Sequence, residues 1–386
     1  MISAVVEAVA ADLTGLSASI HQEPELAFEE YRSAAKVSGL LAEYGFDVQR
    51  GIGELPTAFD ARFGSGELVV TLCAEYAALP ELGHACGHNI IAAIAVGAAK
   101  ALTSVAAELG ITVQVLGTPA EETGGGKIAL LERGFFDDAA MAMMTHPADV
   151  DEVLSSSLSL ADIAVTYRGV EAHASAAPER GRNAADAATV AQVALGLLRQ
   201  HLEPGQQVHG IVSIGGTAPN VIAAQSELLY YLRSRDGASL QRLDERVEGC
   251  FAAGAVATGC THERRIVSPT YLELRPDMRL AQAYRAAITA TGRHPAPAAH
   301  EGMRPFGSTD MGNVSQSVPS IHPLIGIDSG GARIHEPGFA LAAASASADS
   351  AIIDGAVALA STAAAAAANG QWREELLELR DKRIAR

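Results

Sequence analysis

A chain of 386 residues is long enough for two separate cores, and 48% hydrophobic with 19% charged residues is ordinary for a globular protein. The formal net charge of −17, with Lys and Arg scattered along the chain, argues against a nucleic-acid partner, because phosphate neutralisation needs grouped basic side chains. Four cysteines in such a length do not make a disulfide framework, and Met1 to Leu16 carries Glu7 and Asp12 in place of a basic leader, so the expectation is a cytoplasmic protein.

Residues 3–20 and 28–44 are predicted as helices, separated by the Pro-broken turn His21-Gln22-Glu23-Pro24-Glu25-Leu26. Strands follow at 58–63 and 68–74 around Gly64-Ser65-Gly66, then a small-residue helix over 89–108. A β-branched strand over 111–116, a helix over 127–133 and a strand over 139–145 continue the alternation. Alternating strands and helices imply a doubly wound α/β sheet, whose sites lie at the carboxyl ends of its strands.

The pattern changes near residue 156. Strands at 158–167, 208–214, 226–235 and 262–268 interleave with helices at 183–201 and 239–257, giving the order βαββαβ of a ferredoxin-like unit. The expected division is residues 1–156 with 270–386 as one domain, and 157–269 as an inserted second. The Ala-rich stretch 341–368 is interrupted by Asp349 and Asp354, which favours a buried core helix over a membrane span.

The residues able to do chemistry gather at predicted strand ends. Gly83-His84-Ala85-Cys86-Gly87-His88-Asn89 places three metal-capable side chains within five residues after the 68–74 strand. Glu121-Glu122 lies between Pro119 and Gly124-Gly125-Gly126 after the next strand, and His146 ends the third. Thiolate, imidazole and carboxylate together suit zinc or a similar divalent ion, and a carboxylate left free beside a ligand can move protons in hydrolysis. Each signal has a blander reading: a buried thiol, a solvated charge pair, structural histidines at 146 and 335, a surface histidine at 173. Cys86 as a nucleophile with His88 as its base is a further alternative, without an acyl-transfer signature around it. The glycine run is not a phosphate loop, since Glu121 and Ile128 occupy positions that need Gly and Ser or Thr, and no G-x-S-x-G elbow occurs.

Taken in order, these segments resemble the M20 metallopeptidases, within them the amidohydrolase branch, and are most similar to p-aminobenzoyl-glutamate hydrolases and β-alanyl-dipeptidase-like enzymes. The resemblance runs through His21 to Leu26, Glu75-Tyr76, His84 to Asn89, Pro119 to Glu122, Thr145-His146-Pro147, Gly169 to His173, Pro219-Asn220-Val221-Ile222, Ser308-Thr309-Asp310-Met311-Gly312 and His335-Glu336. It implies a zinc-peptidase-like catalytic domain with an inserted lid that dimerises. It assigns Cys86, His88, Glu122, His146 and His335 as ligands of two divalent ions, with His84 left to packing. Zinc is the first expectation, manganese or cobalt the alternatives. Glu121 becomes the general base and acid, and His173 the group that polarises the substrate carbonyl, reaching a neighbouring subunit. Asn220 and, with less support, Arg233 or the 308–310 loop would contact substrate. The implied reaction is hydrolysis of the amide bond in N-acyl or N-aminoacyl amino acids or dipeptides, by a homodimer with no nucleic-acid or membrane partner. One position departs from the resemblance: Ala77 stands where relatives carry Asp, so either Glu75 supplies the missing carboxylate or the metal is held less tightly. The competing expectation is a metal-binding homologue that regulates or binds without turnover.

Overall fold

The structure is a computed structural model that describes residues 1–303 and 305–385. The chain forms two compact units, Met1–Ser156 with Leu274–Arg386, and Ser157–Glu273.

In the first unit, six strands form a mixed sheet: β1 (Asp47–Arg50), β2 (Phe59–Phe63), β3 (Leu68–Ala74), β4 (Ile111–Gly117), β5 (Ala139–Met143) and β11 (Ser320–Ile321), in the order β1-β2-β4-β3-β5-β11. β4, β3, β5 and β11 run parallel, and β1 and β2 form an antiparallel edge. The sequences Leu68–Ala74 and Ile111–Gly117 are buried at every residue, the pattern of central parallel strands covered on both faces. Val70 and Leu72 pack into the core around the helix His88–Thr103, whereas Cys73 joins Leu116, Leu130 and Met311 on the opposite face. The α/β expectation therefore holds. The Ala-rich segment forms the helix Ala346–Ala368, long and apolar enough to cross a membrane, but its Ala351, Ile352, Leu359 and Ala363 side chains pack in this core.

Several boundaries differ from the sequence expectations. The first helix is two, Ile2–Ala8 and Ala10–Gln22, bent by 57° at Val9, whose φ of −111° and ψ of 10° leave the helical region. The helix expected over 89–108 stops at Thr103 and resumes as Ala106–Leu109. β1 was not anticipated, because Val48 is its one apolar residue. The strand expected over 139–145 ends at Met143, and His146 instead opens a separate strand, β6 (His146–Ala148), which pairs in parallel with β12 (Leu324–Gly326).

The second unit has the order βαββαβ. Its strands β7 (Ser159–Arg168), β8 (Gln207–Ile214), β9 (Gln225–Ser234) and β10 (Thr261–Tyr271) form an antiparallel sheet ordered β10-β7-β9-β8. Helices Ala184–Leu198 and Gly237–Thr258 bury Ala187, Ala191, Leu243 and Phe251 against Ile163, Val165 and Leu232. β10 runs past the expected end at residue 268, because irregular pairing between Ser268 and Tyr271 accommodates Pro269.

Candidate metal centre

The carboxyl ends of β3 and β4 and the start of β6 bring the expected residues together. Among the described residues, three groups of donors lie with their ligand atoms within 4.8 Å of one another: Cys86, His88 and His146; Cys86, Glu122 and His335; and Glu75, His88 and Glu121. Cys86 belongs to the first two, so its sulfur joins two overlapping sets. The Cys86 Sγ to His146 Nε2 distance is 3.5 Å, and His335 Nε2 lies 3.4 Å from Glu122 Oε2. His88 Nε2 faces Glu75 Oε2 at 3.4 Å, Glu122 Oε1 at 3.6 Å and Glu121 Oε2 at 3.9 Å. Two donors on one tetrahedral zinc, each at ~2.0–2.3 Å, lie roughly 3.3–3.7 Å apart, so most of these separations suit ligands that share an ion.

Two further observations fit divalent cations here. Both ring nitrogens of His88 and Oε2 of Glu75 are buried and make no hydrogen bond, a costly arrangement unless something else engages them. Among the described residues the charge is also unbalanced: the carboxylates of Glu75, Glu121, Glu122 and Asp310 surround one buried ammonium, that of Lys127. With all four carboxylates ionised, three negative charges are left over, and an ionised Cys86 makes four, the charge that two divalent ions would balance.

Local backbone chemistry aims these groups. Gly87, at φ +78°, separates Cys86 from His88, and a Cβ there would lie 2.5 Å from Pro147 Cγ. Only glycine can thus turn this loop against the strand that carries His146. Ala120 and His335 are non-glycine residues in the left-handed region, at φ 56° and 69°. Glu30 holds the first by accepting from Ala120 N at 2.8 Å, and His335 N donates to Ala85 O at 2.9 Å. Backbone strain of this kind persists where surrounding contacts enforce it.

Electrostatics follow from burial. Desolvation, with the charges of Glu75, Glu122 and Asp310, pushes the Glu121 carboxyl well above its usual range. Burial also raises Glu122, but the hydrogen bond from His335 and the charges of His88 and His335 outweigh it and hold the group at about 2. Burial and the charges of Glu122 and Glu121 push the Cys86 thiol well up. Burial holds His146 down at about 4, and its Nδ1 donates to Pro147 O at 2.7 Å, which leaves Nε2 facing Cys86. A cleft of 360 Å³ opens beside His146, lined also by Asp149, Phe306, Leu324 and Arg333.

Other expected residues lie elsewhere. His84 is buried, joins none of the three donor groups and has its ring 6.0 Å from that of His21. Asn89 is tied to Ser17 Oγ and Ala343 O at 2.8 and 2.9 Å. In the 308–310 loop, Thr309 and Asp310 are buried and Asp310 binds Lys127. In the second unit, His173 Nδ1 accepts from Ser175 N at 3.3 Å and Ala176 N at 3.2 Å, which places a proton on Nε2 as a free donor. Asn220 is next to it, its carbonyl accepting from Ala174 N at 3.0 Å. Arg233 is not in this group. Register pairs Arg168 with Gln225 and Leu160 with Arg233, so Arg233 lies eight residues along β9, on the order of 26 Å from that end of the sheet. The sequence reading missed Lys127, Glu30 and His322, whose buried ring sits 5.5 Å from that of His146.

Known proteins share this arrangement of chain and fold. The chain is 41% identical over 340 residues to Xaa-Arg dipeptidase of Mus musculus, covering 84% of the chain and 79% of the relative. It is 33% identical over 311 residues to a p-aminobenzoyl-glutamate hydrolase chain of Escherichia coli, covering 74% and 64%. Its fold is similar to an aminobenzoyl-glutamate utilization protein from Klebsiella pneumoniae, with a TM-score of 0.74, 20% identity and coverage of 94% and 98%. It also matches a dinuclear metal binding peptidase of the M20 family from Bacillus subtilis, with a TM-score of 0.67, 22% identity and coverage of 91% and 98%. The family model described as peptidase family M20/M25/M40 matches residues 71–364, and the chain belongs to that family of hydrolases.

Proposed function

We propose that this hydrolase cleaves the amide bond of N-acyl or N-aminoacyl amino acids or dipeptides with two divalent ions, held by Cys86, His88 and His146 on one side and Cys86, Glu122 and His335 on the other. The observation that carries the reading is the shared sulfur: two donor triads overlap at Cys86, with Glu121 beside them. Bound divalent ions supply Lewis acidity to a carbonyl oxygen and lower the pKa of water. Glu121 takes the proton of the attacking water and delivers it to the departing nitrogen. His173 donates from Nε2 to the carbonyl oxygen as charge develops there. Cys86 is poorly placed as a nucleophile, because burial and two neighbouring carboxylates oppose a free thiolate. The Cys and His donors favour zinc, with manganese and cobalt the other ions to try.

The relatives named Xaa-Arg dipeptidase make dipeptides ending in Arg the first substrates to assay. The assembly is a homodimer. His173 and Asn220 lie too far along the sheet from Arg233 for one chain to bring all three to a dipeptide, which supports a contribution from a second copy. β8 is an edge strand with Ile211, Val212 and Ile214 exposed, a surface suited to pairing with a second copy. Four free cysteines fit a reducing, cytoplasmic setting.

A panel of dipeptides and N-acyl amino acids, assayed with and without chelator on wild type and Glu121→Gln, tests the reading. Chelator and the substitution should each abolish turnover, with Glu121→Gln keeping its metal. Activity untouched by chelator would sink the metal mechanism. Two bound ions without turnover on any substrate would favour a binding protein, the reading that buried, apolar Ala77 suggests.

A further inference from the structure

Glu75, Lys127 and Asp310 lie outside the five proposed ligands, and all three are fully buried. Lys127 Nζ donates to Glu75 Oε1 at 2.5 Å and to Asp310 Oδ1 at 2.6 Å, while Lys127 N donates to Asp310 Oδ2 at 2.9 Å. Asp310 thus engages both oxygens on Lys127, and Glu75 only one. Its second oxygen, Oε2, is buried without a hydrogen bond and faces His88 Nε2 at 3.4 Å, an atom also without one. That gap is long for a hydrogen bond, which prefers ~2.7–3.2 Å, but suits two donors on one ion, roughly 3.3 Å apart. Burying an ammonium with two carboxylates gives little net stability over apolar packing of the same volume, so stability alone does not account for the cluster. What the triad does accomplish is geometric. With Oε1 fixed by Lys127, Glu75 can present only Oε2, and only toward His88.

We propose that Glu75 is a sixth donor, an oxygen ligand to the divalent ion held through His88, with Lys127 and Asp310 as its positioning residues. The inference rests on the metal-hydrolase reading above. It also releases Glu121, the third member of the Glu75–His88–Glu121 group, from ligation, so that this carboxylate remains available for proton transfer.

The test is metal titration of the metal-free full chain, with Zn2+ in competition with a chromophoric chelator and Co2+ followed by its visible absorption. Wild type should bind two ions. In Glu75→Gln one ion should bind at least about tenfold more weakly, with altered Co2+ absorption, while the other is unchanged. Glu75→Asp should recover part of the loss. The double exchange Lys127→Met with Asp310→Asn, which removes one charge of each sign, should weaken the same ion by less. Unchanged affinity and absorption in Glu75→Gln, with only a lower melting temperature of the metal-free protein, would overturn the proposal and leave Glu75 as a structural partner of Lys127. Wild type that binds no ion stoichiometrically would instead overturn the metal reading itself.

Discussion

Replacing His322 with Leu should make the metal-free protein markedly less sensitive to acid. The imidazole is fully buried, stacked on Phe306 at 5.1 Å and 5.5 Å from the ring of His146. Burial first, and then the charge of His146, hold His322 at about 3. In the unfolded chain the same group titrates near ~6.5. Between those values the unfolded chain binds a proton that the folded protein refuses, so stability present above pH ~6.5 is lost progressively as pH falls toward 3. Each pH unit in the window is worth about 1.4 kcal/mol, so acidification from pH 7.5 to 5 costs about 2 kcal/mol through this residue alone. Leu removes that dependence, at an expense on the order of 1 kcal/mol in lost ring stacking that applies equally at every pH. Urea unfolding in the presence of chelator, followed by the fluorescence of Trp372, measures the difference; this is the chain's one tryptophan, and it packs in the core of the first unit. The variant should start weaker at pH 7.5 and gain about 2 kcal/mol relative to wild type by pH 5. Stability curves that stay parallel across this range would refute the reasoning.

Gly87→Ala should cost about 2–4 kcal/mol, from a left-handed residue and overpacking against Pro147, and should also lower metal occupancy measured by chelator release. A far smaller loss of stability would mean the loop moves aside without effort. His173→Asn should reduce kcat by about 100-fold or more with metal affinity unchanged, as expected for a donor that acts on the developing oxyanion. Ile211→Glu with Ile214→Glu should shift the molecular mass in solution to that of one chain and abolish turnover, since both substitutions fall on the exposed edge strand β8. An unchanged mass would remove β8 from the interface.

Most of the proposed donors were legible in the sequence because they follow or end a hydrophobic run and carry a local mark. Cys86 and His88 flank a glycine, Glu121-Glu122 precedes a glycine triplet, and His146 precedes a proline. Lys127 had no such mark. It is a lone cation within the helix Gly126–Glu132, and its partner Asp310 is 183 residues away. Its burial is a product of the sheet bringing two distant segments together, which local patterning does not encode. Glu30 was hidden for the same reason: it reads as a solvated helix-end carboxylate, but accepts from Thr57 Oγ1 and Ala120 N in the interior. The split of the expected 139–145 strand depended on β12, a partner of three residues with no periodicity of its own. In the second unit, alternation survived well enough to give the right order of elements, while the irregular pairings in β8 and β10 and the helix end at Leu198 escaped.

A sulfur common to both triads has a consequence for how the centre fills and fails. Burial and the carboxylates of Glu122 and Glu121 raise the Cys86 thiol, so if this sulfur is a ligand as proposed, the first ion to bind would have to displace its proton. The second ion then meets a thiolate already formed. Under the proposed ligand set, loading is predicted to be steeper with pH for the first ion than for the second. Failure follows the same logic in reverse. If Cys86 serves both ions as proposed, oxidation of this one sulfur would withdraw a donor from both together and weaken the whole centre in a single chemical event.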